Sequence, residues 1–101
     1  MLDLVPLQTA SAVPYTVKVL AAEGDERDLL LVFAELALAR RPVYLELTAT
    51  GVRKAPFEHL LLLLQRAPQL RGLRLQWGLD ERDAARLRAA AGDRVVELVA
   101  D

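Results

Sequence analysis

A chain of 101 residues supports one folded domain, because halving it would leave neither part enough interior to be stable. With 53% hydrophobic and 27% charged residues it has the apolar surface to offset chain entropy, which excludes a disordered chain. Thirteen Lys and Arg stand against fourteen Asp and Glu for a net charge of -1, with no cysteine and one histidine. That balance argues against a nucleic-acid partner held by bulk phosphate neutralisation, and it leaves no disulfide, thiolate nucleophile, cysteine metal site or multi-histidine metal site.

The first fourteen residues lack a sustained period. Leu2 to Leu7 reads as an edge strand, where Pro6 is tolerable because an edge leaves some N–H groups unpaired, and Thr9 to Pro14 as a loop or hairpin connection. Met1-Leu2-Asp3-Leu4 carries no basic residue ahead of an apolar segment, as a signal peptide would, and the longest apolar stretch, Leu29 to Ala39, is broken by Glu35. A cytoplasmic protein without membrane insertion is expected. The excess of Arg over Lys and the abundance of Leu and Ala read as a GC-rich, bacterial coding bias.

Tyr15 to Ala21 alternates Tyr15, Val17 and Val19 against Thr16, Lys18 and Leu20, as a strand with one dry face does. Asp25-Glu-Arg-Asp28 then opens a helix, Asp25 as N-cap, running to Arg40 or Arg41 before Pro42 stops it. Pro42 to Thr48 is a strand with Val43, Leu45 and Leu47 on one face. A loop through Gly51 leads to a second helix from Pro56 to Arg66, ended by Pro68. Leu73, Leu75 and Trp77 mark a third main strand. Asp80-Glu-Arg-Asp83 repeats the first helix-start tetrapeptide, opens a helix that Gly92 ends, and Val95 to Val99 closes the chain as a strand. The repeated tetrapeptide with strand, helix and strand around it is what a solenoid would show, yet the strand spacing is uneven. Two helices started by the same capping chemistry is the favoured reading.

Sheets covered on both faces need strands apolar on both faces. Here the second face carries Lys18, Glu46, Thr48, Arg74, Gln76 and Glu97. The pattern predicts a two-layer α/β domain, a mixed four- to five-stranded sheet with helices on one face, three parallel crossovers and an N-terminal strand running the other way. Lys18, Glu46, Arg74 and Glu97 are expected to pair across neighbouring strands.

In this order of elements the chain resembles the STAS domain, the family of bacterial anti-sigma factor antagonists. The resemblance spans nearly the whole chain and is carried by Val43-Tyr-Leu-Glu-Leu-Thr-Ala-Thr-Gly51 running into Ala55-Pro-Phe-Glu-His-Leu-Leu-Leu-Leu-Leu64. Arg74-Leu-Gln-Trp77, Arg86-Leu-Arg88 and Val95-Val-Glu-Leu98 follow in order. It implies a STAS-like fold and a regulatory protein–protein role. Where switch members carry Asp-Ser-Ser-Gly, this chain has Lys54, Ala55, Pro56 and Phe57, so the phospho-acceptor serine is missing and partner binding is not gated there. Thr48 and Thr50 on the preceding loop are alternative acceptors, although strand-end threonines are common for packing and turn reasons. An unphosphorylated relative's role, accessory subunit of a membrane lipid-transport ATPase, is the runner-up, and a leucine-rich-repeat-like fragment of a larger assembly is a structural alternative.

Residue chemistry points away from catalysis. His59 has no second His or Cys at ligand spacing, and Glu58 beside it points about 100° away around the helix. The carboxylates of the two helix-start boxes are interleaved with Arg and explained by capping. The glycines are isolated, without phosphate-loop spacing. Ser11 is the sole serine, with no histidine near it. Trp77 falls on the dry face of its strand. No catalytic residue, cofactor, metal or small-molecule substrate is identified.

What remains is an apolar surplus. Phe57, Leu60, Leu61 and Leu64 suffice for a sheet-facing stripe, which leaves Leu62 and Leu63 extra, and Leu29, Val32, Phe33 and Leu36 leave Leu30, Leu31, Ala34 and Leu38. Neighbouring helices or another molecule can cover such residues. The second reading makes Leu30, Leu31, Leu62 and Leu63, rimmed by Arg40 and Arg66, a docking surface for another protein or a second copy.

Overall fold

The structure, a computed structural model, describes residues 15–99 and the main chain of residues 2–4. Its elements are β1 (Leu2–Leu4), β2 (Tyr15–Ala22), α1 (Glu26–Ala37), β3 (Val43–Thr50), α2 (Ala55–Arg66), β4 (Leu70–Trp77), α3 (Glu81–Ala91) and β5 (Val95–Leu98). They form an α/β fold in which the sheet follows chain order, β1-β2-β3-β4-β5. From β2 to β5 all pairings are parallel, and β1 lies antiparallel along β2. The edge strand expected near the N-terminus is present as β1; Pro6 and Thr9 to Pro14 lie outside the described residues.

Each crossover leads to the neighbouring strand, so crossovers of one hand set all three helices on one face. Burial agrees. Val17 and Val19, then Val43, Leu45 and Leu47, then Leu73, Leu75 and Trp77 are buried beneath Leu29, Phe33 and Leu36 of α1, Phe57, Leu60 and Leu64 of α2, and Leu87 of α3. On the open face the charged positions stand in register, Lys18 opposite Glu46, Glu46 opposite Arg74 and Arg74 opposite Glu97, and the main chain of Asp3 is the register partner of Lys18. Signs alternate across all five strands, and Arg74 Nε lies 3.6 Å from Glu97 Oε2. Arg74–Glu97 is the one of these pairs within ion-pair distance among the described residues; at its exposure it contributes about 0.2–1 kcal/mol, and the larger effect of the charged row is on register, since a slip by one residue would turn the charges inward.

Most boundaries fall within two residues of the sequence reading, β3 for instance running on to Thr50, and two shift further for structural reasons. α1 stops at Ala37 rather than Arg40 or Arg41. The Leu38 and Ala39 N–H groups tighten onto the Glu35 and Leu36 carbonyls, and Gln69 Nε2 donates to the Leu36 and Ala37 carbonyls at 3.1 and 2.8 Å. A side chain from just before β4 thus supplies what a further helical turn would have supplied. β4 begins at Leu70, not Leu73, because a bulge against Val43 and Tyr44 makes Arg71 an extra residue. Leu70 and Leu73 both face the core across this bulge, which hides the strand from a search for alternation.

Candidate functional site

α2 packs between α1 and α3, and its two flanks differ in chemistry. Toward α3 it is closed by ions. The Arg86 Nη2 donates to both Glu58 carboxylate oxygens at 2.6 Å, Lys54 Nζ reaches Asp83 Oδ2 at 3.2 Å, and Arg86 Nη1 lies 3.6 Å from Asp83 Oδ1. The hydrogen bond to Glu58 raises the pKa of the Arg86 guanidinium, with the Glu58 and Asp83 charges adding to it. Toward α1 there is no ion pair among the described residues. A groove of about 280 Å³ runs along that seam, lined by Leu30, Phe33, Ala34 and Ala37 from α1, by His59, Leu62, Leu63 and Arg66 from α2, and by Ala67. Ala34, Ala37 and Ala67 keep it open because their short side chains cannot fill the space between two helix backbones.

The surplus apolar residues divide. Leu62 is 42% exposed on the groove rim, and Leu30 is half-buried in its wall. Leu63 is 5% exposed and belongs to the core, which corrects its assignment to an interface. Its side chain fills the seam with α1 behind the sheet-facing stripe of α2, so a neighbouring helix covers it. Leu31, 60% exposed, lies outside the groove on the side of α1 away from the sheet, and Arg40, exposed beyond the end of α1, does not line the groove either. Of the six expected site residues the seam therefore gathers Leu30, Leu62, Leu63 and Arg66. The sequence reading missed Phe33, Ala37, His59 and Ala67. Leu30, Ala34 and Ala37, spaced by four and three residues, are the signal that marks one small-sided flank of α1.

A larger cleft of about 420 Å³ lies at the carboxyl ends of β4 and β5 under the start of α3, walled by Leu75, Trp77, Leu79, Ala84, Leu98 and Val99. Its lining holds no charged side chain. Its one polar side-chain group, the Trp77 indole N–H, already donates to the Val52 carbonyl at 3.3 Å, and the indole meets the Phe57 ring edge to face at 5.7 Å. Trp77 is core, as its strand position predicted.

At the switch position Lys54 precedes the first turn of α2, with Pro56 buried inside that turn. Thr48 is half-buried on the open sheet face and Thr50 exposed at the end of β3. His59 is exposed on the groove rim. Among the described residues no polar or charged side chain is buried. Comparison with family models, with curated proteins and with solved structures finds no match.

Proposed function

We propose that this chain is a non-enzymatic protein–protein interaction module that docks through the α1–α2 face, with a STAS-like fold and no phosphorylation gate at the usual serine position. The observation that carries the reading is the contrast between the flanks of α2: the seam with α3 is sealed by Glu58–Arg86 and Lys54–Asp83, while the seam with α1 is an open apolar groove. An unsealed apolar seam with cationic margins at Arg66 fits an apolar side chain or helix ridge from another protein or a second copy. The order of elements and the antiparallel first strand support the STAS-like assignment.

The test is the double change Leu31→Lys with Leu62→Glu, read by thermal melting and light scattering. Both positions are exposed, so the variant should melt like wild type. If wild type self-associates, the variant should be monomeric, since each leucine buried at an interface contributes roughly 1.5–3 kcal/mol. If wild type is monomeric, the groove serves a different protein, and a partner co-purifying with wild type should be lost with the variant. Retention of the same complexes by the folded variant would overturn the reading. Leu63→Ala is the control and should lower stability by about 2–5 kcal/mol.

A further inference from the structure

The near-zero net charge conceals a division. The four main strands run in one direction and the helices return in the other, so every helix C-terminus and strand start lies at one end of the domain. Contacts tie that end together: Gln69 Nε2 donates to the Leu36 and Ala37 carbonyls, and Arg94 donates to Ala67, Leu70 and Ala91. Around these groups the sequence places Arg40, Arg41, Arg66, Arg71, Arg88 and Arg94, opposed there among the described residues by Asp93 and by Glu35 in the last turn of α1. The acidic helix-start boxes sit at the other end. The link between β1 and β2, residues 5–14, carries no charged residue, so it brings no counter-charge.

Cations near helix C-termini complement the helix dipoles. Here that need is largely met, because Gln69 and Arg94 already take carbonyls at the ends of all three helices. The side chains of Arg40, Arg66, Arg71 and Arg88 make no ion pair or hydrogen bond among the described residues. At the same end of the domain, just beyond α1 and two residues before Arg40, Leu38 projects with 82% of its surface exposed, more than any other large apolar side chain described.

We propose that this arginine end docks on an anionic phospholipid surface, its guanidinium groups on headgroup phosphates and Leu38 in the acyl boundary. Charge complementarity supplies attraction, since juxtamembrane cations are drawn to anionic leaflets, and an apolar tip between them gains only where hydrocarbon lies behind the charge. A nucleic acid would engage the same arginines but leave Leu38 without a role. Of the aromatic rings, Phe33, Phe57 and Trp77 are buried, and Tyr15 and Tyr44 at the strand starts are half-buried, the Tyr44 ring lying over Gly72, so that Leu38 is what separates the two kinds of partner. The surface shares Arg66 with the α1–α2 groove, but Leu38, Arg40 and Arg71 lie outside that groove, so variants at these positions let the two proposals fail separately.

The experiment is co-sedimentation of the full chain with vesicles of phosphatidylcholine alone and of phosphatidylcholine mixed with phosphatidylglycerol, at low and high salt. Binding to the mixed vesicles only, weakening with salt, is expected. Arg40→Gln with Arg71→Gln should lower the partition roughly tenfold or more, and Leu38→Asp should lower it by a similar factor, while Leu62→Glu should leave it unchanged. All of these positions are exposed, and melting curves check that the variants fold. Equal or absent binding to the two vesicle types overturns the proposal. So does a Leu38→Asp variant that binds as wild type, or an RNA duplex that binds wild type and Leu38→Asp equally and displaces the vesicles.

Discussion

The ring of Tyr44 lies across the backbone of Gly72, its partner in the β3–β4 register: a β-carbon added to Gly72 would fall 2.5 Å from Tyr44 Cε2 and 2.6 Å from Cδ2. The glycine is there for close approach, beside the bulge that begins β4. Gly72→Ala is expected to push the ring aside and cost about 1–3 kcal/mol in urea unfolding. In a Tyr44→Ala background the same change should cost less, leaving mainly the 3.3 Å approach to the Val95 carbonyl. Equal costs in the two backgrounds would show that the ring is not the obstacle.

Arg94 uses its guanidinium as a clamp on main-chain carbonyls rather than in an ion pair. Nε donates to Leu70 at 2.6 Å, Nη2 to Ala67 at 3.0 Å and Nη1 to Ala91 at 3.2 Å, joining the ends of α2 and α3 to the start of β4. Arg94→Met should destabilise by about 1.5–3 kcal/mol, because hydrogen bonds from a charged donor are lost and partly buried carbonyls are left to water. Arg94→Lys should recover only part of this, since an ammonium does not present the planar fork. Denaturant midpoints of the three proteins settle the order.

Glu26, in the first turn of α1, accepts a hydrogen bond from the Arg53 backbone N–H at 3.1 Å, and this bond holds its carboxyl below the ordinary carboxylate value. A carboxyl depressed in the folded state stabilises above its unfolded pKa, and that contribution disappears as the pH falls through the folded value. Unfolding curves should therefore show wild type losing more stability than Glu26→Gln between neutral pH and the acid range. The carboxylate is exposed, so the difference should be small. Parallel pH profiles would contradict it.

The two Asp-Glu-Arg-Asp starts should respond differently to the same mutation. Asp80→Ala removes the carboxylate that accepts from the Asp83 N–H at 2.8 Å, and should cost about 0.5–2 kcal/mol and speed hydrogen exchange at Asp83. Asp25→Ala removes an acceptor for the Ala22 N–H, also at 2.8 Å, so faster exchange is expected at Ala22 instead. Amide exchange followed by NMR separates the two.

Most of the fold was legible because the strands obey a period of two: Val17 and Val19, Val43 to Leu47, and Leu73 to Trp77 fall on the buried face the alternation assigns them. The start of β4 was not, because the bulge at Arg71 breaks that period. The candidate site was legible as an excess of leucine on α1 and α2, but not as a shape. Leu62 and Leu63 are chemically identical neighbours, and which one is covered depends on where α1 lies, which the residues of α2 do not encode.

Sequence alone determined that helices begin after Asp25 and Asp80, since carboxylates gathered at the first turn favour a helix start wherever they occur. Only the tertiary structure decided what each aspartate does. The turn from Ala22 through Gly24, at φ +95°, brings Asp25 in at φ -89°, ψ 13°, with its carboxylate turned back to β2. Asp80 arrives extended, at φ -80°, ψ 176°, with its carboxylate over the first turn of α3. Four identical residues diverge because a cap's geometry is set by the path of the chain before it, and that path is fixed by where strand and helix must meet across the core.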